Sequence, residues 1–524
     1  MQNTSNKIYT MKNLLKYLFA FSAMLFVQSC SKDITERNQE FPALNPSRTD
    51  INAGIWKPIL LTAANEFLVA PPAAITTPGY IAELNEIKGW QRNLTAEQKI
   101  SIQYWSAGAV LRWNEILREL VARHNIPPYQ NPNGTYPAPS AANPFAYPVF
   151  PFSNPPYAAR AYAYVSAAQY DALVAAYHYK KLYNRSAPYK NDNSITALVP
   201  KNDLGAYPSE DGAVAGVTVE LLKLLFPADL DFIQKKSDEH QLYRIMAGAN
   251  TRGELEAGEL LGRAVAQKFT ARARTDRAGA AIGNAIIWAQ LESQTTATGE
   301  MAWISLDAPK RPPMLPLFGK VKTFLFDSLT LISIRAPKPP STNSLQFKKE
   351  AAEVLYYSKN YDRERVRIVH FWADGVNTYT PPGHWNAIAA EDFVTQNFSE
   401  VRWARNMALL NMSLMDAAIS CWDNKYTYYN PRPSQFDPEI KTWTGIPNFP
   451  AYTSGHSTFS GAAATILAYI IPSRANDYNE MAKEASLSRL YGAIHYRSDC
   501  EQGLICGQNV GAFAVARGRI DGAE

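Results

Sequence analysis

Between Ile100 and Ala122 apolar residues return every three or four positions. Trp105, Ala109, Trp113, Ile116, Leu117 and Leu120 fall on one face of a helix. The same period predicts an Ala-rich helix from Tyr157 to Tyr179 and further helices over 211–226, 229–248 and 252–273. It returns at 344–358, 384–397, 399–421, 456–471, 474–490 and 500–517. No stretch sustains the alternation of a strand, and no tandem repeat is apparent. The chain therefore reads as all-α, a pair of packed helix bundles with long loop insertions.

Punctuation residues set the expected boundaries. Pro, Asn and Gly crowd the stretch from Pro127 to Pro156, a long surface loop. Pro309, Pro312, Pro313, Pro337, Pro339 and Pro340 mark a second irregular region. The expected organisation is a signal segment over 1–30, an irregular lead-in over 31–95 and an N-terminal helical bundle over 96–275. A loop-rich insertion over 276–343 and a C-terminal bundle over 344–524 complete it.

Composition narrows the function classes. A net charge of +5 over 524 residues is weak, and no Lys/Arg block, zinc-knuckle spacing or Gly-rich phosphate loop occurs, so a nucleic-acid partner is not expected. Near the start, Met11-Lys12 and Lys16 precede the apolar run Tyr17 to Val27, which is too short to span a bilayer as a helix. The string Val27-Gln28-Ser29-Cys30 resembles a bacterial lipoprotein signal, with Cys30 as the lipidated residue. It implies an exported lipoprotein held to a membrane by an N-terminal lipid anchor, facing the periplasm or the cell surface, with the outer membrane as the expected destination. Cys421, Cys500 and Cys506 show no CxxC metal spacing and read as buried thiols, with one disulfide among them left open.

Three segments carry the chemistry. Ser454-Gly455-His456 precedes an apolar-periodic helix, where unpaired N–H groups and the helix dipole favour an anion. Gly455 lacks the Cβ that would hold an oxyanion off the backbone, and Ser454 adds a hydroxyl. His495 and Asp499 are four apart, so on a helix they share a face and the carboxylate can accept the Nδ1 proton, leaving Nε2 free. Arg489, six before His495, can reach the same centre if the chain breaks at Gly492. Lys425 and Arg432 are read in an aromatic loop between Trp422 and Pro433, a point charge and a bidentate fork for the same ligand.

The pattern K-x6-RP (Lys425, Arg432), SGH (Ser454, Gly455, His456) and SR-x5-H-x3-D (Arg489, His495, Asp499) resembles the signature of the type 2 phosphatidic acid phosphatase (PAP2)/vanadium haloperoxidase superfamily. Trp422, Phe449 and the string from Phe449 to Ala462 resemble the chloroperoxidase branch. Pro155 to Arg160 with Tyr170-Asp171-Ala172, and Phe371-Trp-Ala-Asp374-Gly375 with Pro381-Pro-Gly-His384-Trp385-Asn386, look like motifs of bacterial haloperoxidase-like proteins. Thr453 departs from the family, which has proline before Ser-Gly-His.

The resemblance implies His495 as the residue bonded to the central atom, His456 as the acid–base group and Asp499 as the orienter of His495. Lys425, Arg432, Ser454, Gly455 and Arg489 hold the oxyanion, and Asp374 supports Arg489. His384 is read as structural. The implied activity is oxidation of halide by hydrogen peroxide with vanadate as cofactor. The alternative is hydrolysis of phosphomonoesters through a phosphohistidine, which needs no cofactor, and the third is a non-catalytic lipoprotein scaffold. Oligomeric state is left open.

Overall fold

The computed structural model describes residues 41–126, 133, 154–308 and 310–524, so the signal-type segment and Cys30 lie outside the described residues. Among the described residues there is no β-strand. The first helices are α1 (Pro78–Arg92), α2 (Ala96–Trp105) and α3 (Ala109–His124), followed by α4 (Pro155–Tyr183), α5 (Glu210–Leu225), α6 (Leu230–Met246) and α7 (Arg252–Thr275). After α8 (Ala285–Ala297) come α9 (Leu345–Lys359), α10 (Arg363–Phe371), α11 (Thr380–Thr395) and α12 (Glu400–Tyr428). The chain ends with α13 (Gly455–Ile470), α14 (Ala475–Tyr491) and α15 (Arg497–Gly518). Single turns at Pro188–Asn191 and Pro433–Phe436 follow α4 and α12.

Several boundaries differ from expectation, each for a local reason. The lead-in read as irregular contains α1, which Thr77 caps by accepting the Tyr80 N–H and which Pro78 opens from the first helical position. The loop-rich region contains α8, capped by Asn284. The periodic run from Ile100 to Ala122 divides into α2 and α3, because Gly108 adopts a positive φ of 126° just before α3. A further helix, α10, follows Asp362, whose carboxylate accepts the Arg365 N–H at 2.8 Å.

The architecture is duplicated, which the sequence had not disclosed. α4 to α7 recur as α12 to α15 at an offset of 245 residues, 400 against 155 for α12 and α4, 455 against 210 for α13 and α5, 475 against 230 for α14 and α6, and 497 against 252 for α15 and α7. α4 and α12 have the same length, as do α5 and α13, and α6 and α14. The details recur as well. Arg160 pairs with Asp276, and Arg405 with Asp521. Asp171 accepts the N–H groups of Ile59, Leu60 and Leu61, and Asp416 those of Phe324 and Leu325. The upstream motifs around Arg160 and Asp171 are thus framework, tying irregular chain to α4.

α4 and α12 lie along each other at the centre of the molecule, both buried over most of their length. Alanine dominates α4, which lets the two helices approach closely. Ser166 and Asn411, counterparts in the two halves, hydrogen-bond to each other at 2.9 Å. Contact between equivalent positions is what a local two-fold axis produces. No helix among the described residues is long and apolar enough to cross a membrane.

Candidate active site

The three segments converge in the C-terminal bundle. Lys425, Arg432, Ser454, Arg489, His495 and Asp499 are all buried, none more than 2% exposed. α12 does not stop at Cys421 but continues to Tyr428, so Lys425 occupies its last turn instead of a loop. The polar residues just past Cys421 are satisfied by distant chain: Asp423 pairs with Arg335, and Asn424 Oδ1 accepts the Ala336 N–H. Tyr429 then ends the helix in left-handed backbone, φ 48°.

Lys425 Nζ donates to the carbonyls of Pro450, Ala451 and Thr453 at 2.8, 2.9 and 2.5 Å, fixing the approach to Ser454. Burial lowers the Lys425 pKa to about 7, and the Arg432 charge adds to that effect. Arg432 donates through Nε to Phe449 O and through Nη1 to Ile494 O, each at 2.9 Å. The Phe449 ring lies 4.9 Å from both the Lys425 ammonium and the Arg432 guanidinium, with Trp422 packed 5.0 Å behind it. These two rings form an apolar wall that keeps the local dielectric low.

Ser454 caps α13, its Oγ accepting the Ser457 N–H at 3.3 Å, and Gly455 is the first helical residue. Ser454 N–H donates to Asp499 O at 2.9 Å, locking the second segment to the third. A Cβ placed on Gly455 would meet nothing within 4 Å, so open space lies against the first turn.

The third segment is bent where expected, but the left-handed residue is Ala493, φ 58°, directly after Gly492. His495 and Asp499 do not share a helical face. α15 begins at Arg497, and Asp499 is its third residue. Its Oδ2 accepts both the Tyr496 N–H at 3.0 Å and the His495 Nδ1 proton at 2.9 Å. That fixes the tautomer and leaves His495 Nε2, 3.1 Å from Arg432 Nη1, as an acceptor. Burial, then the charges of Arg432, Lys425 and Arg489, hold the His495 pKa well below its ordinary value, so the ring is neutral. Burial raises the Asp499 pKa to about 7.

Asp374 does not hydrogen-bond Arg489, contrary to the role the motif implied. Arg489 donates to Ser488 Oγ at 2.8 Å and to Val369 O at 3.2 Å. The Asp374 carboxylate instead accepts from His384 Nδ1 at 3.0 Å and stands 3.9 Å from His456 Nε2. It acts on Arg489 through space, opposing the burial that brings the Arg489 pKa down to about 10. His384, stacked on Trp372 at 4.6 Å, is therefore part of the site's wall, a place its sequence position outside the signature had concealed. His456 is the one ring of the cage still 18% exposed, and burial with the Arg489 charge pushes its pKa well down.

The charge inventory is unbalanced. Among the described residues no carboxylate lies within ion-pair distance of Lys425, Arg432 or Arg489. Arg432 Nη2 and His456 Nε2 are buried without a hydrogen-bond partner. Three desolvated cations, an orphaned guanidinium nitrogen and free space at Gly455 suit a multiply charged oxyanion. The same donor set fits vanadate. Cys421, Cys500 and Cys506 are buried free thiols, and no cluster of three or more His, Cys, Asp or Glu able to hold a metal cation occurs among the described residues.

Residues 406–518 match the family model of the PAP2 superfamily, a span that contains all eight residues of the cage. Among solved structures the chain is similar to a bacterial vanadium-dependent iodoperoxidase, with 22% identity and a TM-score of 0.56 over 78% of this chain and 95% of that one. It is also similar to a holo-type bacterial vanadium-dependent chloroperoxidase, with 13% identity and a TM-score of 0.50 over 73% and 96% of the two chains. These are likenesses of fold. No curated protein matches the chain.

Proposed function

We propose, for a chain that belongs to the PAP2/vanadium haloperoxidase superfamily, that it is a vanadate-dependent haloperoxidase acting on hydrogen peroxide and halide. The observation that carries this reading is the cage itself, three buried unpaired cations around a neutral His495 Nε2. Lys425, Arg432, Arg489, the Ser454 hydroxyl and the Gly455 N–H would hold vanadate, and His495 Nε2 would bond to its centre. Bound vanadate supplies the activation of peroxide toward halide. The chain's own groups do the rest. The cations withdraw electron density from the bound oxygens. His456, beside Asp374, takes and returns a proton at Nε2. The Phe449 and Trp422 rings keep water from the cationic floor. An anion in the cage offsets the Arg489 charge, which raises the His456 pKa and readies it as an acid.

The superfamily match supports a second reading on the same residues, a phosphomonoesterase. His495 Nε2 would form a bond to phosphorus while the ester P–O bond breaks and His456 protonates the departing oxygen. Water deprotonated by His456 would then displace His495. We further place the mature chain outside the cytosol, anchored through Cys30, on the strength of the Val27–Cys30 string.

One paired assay separates these readings. Protein loaded with orthovanadate should brominate or chlorinate monochlorodimedone only with peroxide and halide present. His495→Ala should abolish that activity, and His456→Ala should lower it about 10²–10⁴-fold. Hydrolysis of p-nitrophenyl phosphate that vanadate inhibits, with no halogenation, would select the phosphatase. Both assays at the level of His495→Ala would leave only a binding scaffold.

A further inference from the structure

The 245-residue repeat carries the site with it. Lys180 occupies the last turn of α4 as Lys425 does in α12, and Ser209 caps α5 as Ser454 caps α13. Arg244 near the end of α6 corresponds to Arg489, Asn250 to His495, and Glu254 to Asp499. The local bonding is reproduced. Asn250 Nδ2 donates to Glu254 Oε2 at 3.2 Å, and that oxygen accepts the Thr251 N–H at 2.9 Å, as Asp499 Oδ2 accepts from His495 and Tyr496. Thr453 itself stands opposite Pro208.

The differences fall on the residues that set charge. Gly455 is replaced by Glu210, His456 by Asp211, and Arg432 by Ala187. Glu210 starts α5 at the first helical position, where Gly455 leaves open space in the other bundle. Its carboxylate, 7% exposed as a residue, ion-pairs with Lys180 and lies 3.6 Å from Arg244 Nη2. Arg244 Nε lies 3.3 Å from Asp211, which also accepts from Tyr243 at 2.7 Å. Beside Glu210 remains a cavity of about 30 Å³, lined by Lys180, Ala187, Tyr189, Gly205 and Arg244. Where the C-terminal bundle has three buried cations without a carboxylate partner, this one has two cations met by two carboxylates.

We propose that the N-terminal bundle is a second oxyanion cage, occupied by its own Glu210 carboxylate in the place of the anion. The proposal rests on the reading of the C-terminal residues as an oxyanion site. Native protein then binds one tetrahedral oxyanion per chain, and removing the Glu210 side chain opens a second site for phosphate, sulfate or vanadate between Lys180, Arg244 and the first turn of α5. Asn250 in the place of His495 makes that second site one that binds without forming a bond to the central atom.

The test is the stoichiometry of inorganic phosphate binding to the full-length chain, measured by equilibrium dialysis and by thermal melting. Wild type should bind one phosphate, Glu210→Gly two, and Glu210→Gly with Lys180→Met one. Phosphate should raise the melting temperature of Glu210→Gly more than that of wild type. Glu210→Gln keeps the shape but not the charge, so it should melt below wild type. A folded Glu210→Gly that binds no more phosphate than wild type overturns the proposal. So does a Glu210→Gln as stable as wild type, which remains decisive if the glycine variant does not fold. Wild type that binds no phosphate or vanadate would instead refute the C-terminal reading, while the difference between variant and wild type still judges this one.

Discussion

Lys425 is an ammonium, donating to three carbonyls, that burial makes easier to deprotonate until an anion arrives. Its pKa is brought down to about 7, while an unfolded or solvated lysine stays charged to beyond pH 10. An oxyanion in the cage favours the ammonium, so binding must raise that pKa and draw in a proton at any pH above about 7. The linkage sign follows: affinity falls as pH rises from 7 toward 9, because more of the free protein has lost the proton that binding requires. Sulfate, which keeps its charge over this range, is the suitable probe. Calorimetry of sulfate binding at pH 8 in two buffers of different ionisation enthalpy should show net proton uptake by wild type and markedly less by Lys425→Met. Equal uptake in both proteins would assign the linked proton elsewhere. That the eight cage residues would meet was legible in the sequence through their resemblance to the superfamily signature, since Lys425 and Arg432 alone look like ordinary charges. The actual partners of Asp374 were not, because they depend on how α10 and α11 bring Trp372 and His384 against it.

At the scale of elements, helix existence followed from the 3.6-residue period, while ends and pairings did not. α12 runs past the expected end at Cys421 because its polar residues Asp423 and Asn424 are satisfied by Arg335 and Ala336, which the sequence does not place beside them. Packing was hidden in glycines. A Cβ on Gly507 of α15 would stand 2.1 Å from Thr458 O of α13, and one on Gly262 of α7 would stand 2.2 Å from Ala213 O of α5. Each glycine lets two helices approach at the same place in its bundle. Because α13 begins at the Ser454-Gly455-His456 turn, pushing it off α15 moves His456 relative to His495. Gly507→Ala should therefore cost about 1–3 kcal/mol in urea denaturation and weaken phosphate binding together. Gly279→Ala, where an added Cβ meets nothing within 4 Å, is the control and should change neither. Loss of stability with unaltered binding would mean that α13 yields away from the site.

Residues 155–275 and 400–518 are two copies of one bundle, packed on each other through α4 and α12. Pro42–Glu524 form one compact unit. The repeat escaped the sequence because identities between the halves, such as Lys180 with Lys425, Arg244 with Arg489 and Asp171 with Asp416, are sparse and separated by positions that differ in size and charge. The seam between the copies is polar at its centre. Asn114 donates to Asn386 at 2.8 Å, Asn386 to Asn411 at 2.7 Å, and Asn411 to Ser166 at 2.9 Å, linking α3, α11, α12 and α4 in buried surroundings. Splitting the copies would break the Asn411–Ser166 bond of this network and expose the Ala-rich face of α4, so neither bundle should survive the loss of the other. Gly262→Ala tests this, since its clash lies between α5 and α7, within the N-terminal copy. In hydrogen exchange followed by mass spectrometry across a urea series, peptides from 155–275 and from 400–518 should lose protection at one shared, lowered midpoint. If the C-terminal peptides keep the wild-type midpoint, the bundles fold independently and the α4–α12 seam is a domain interface instead of a common core.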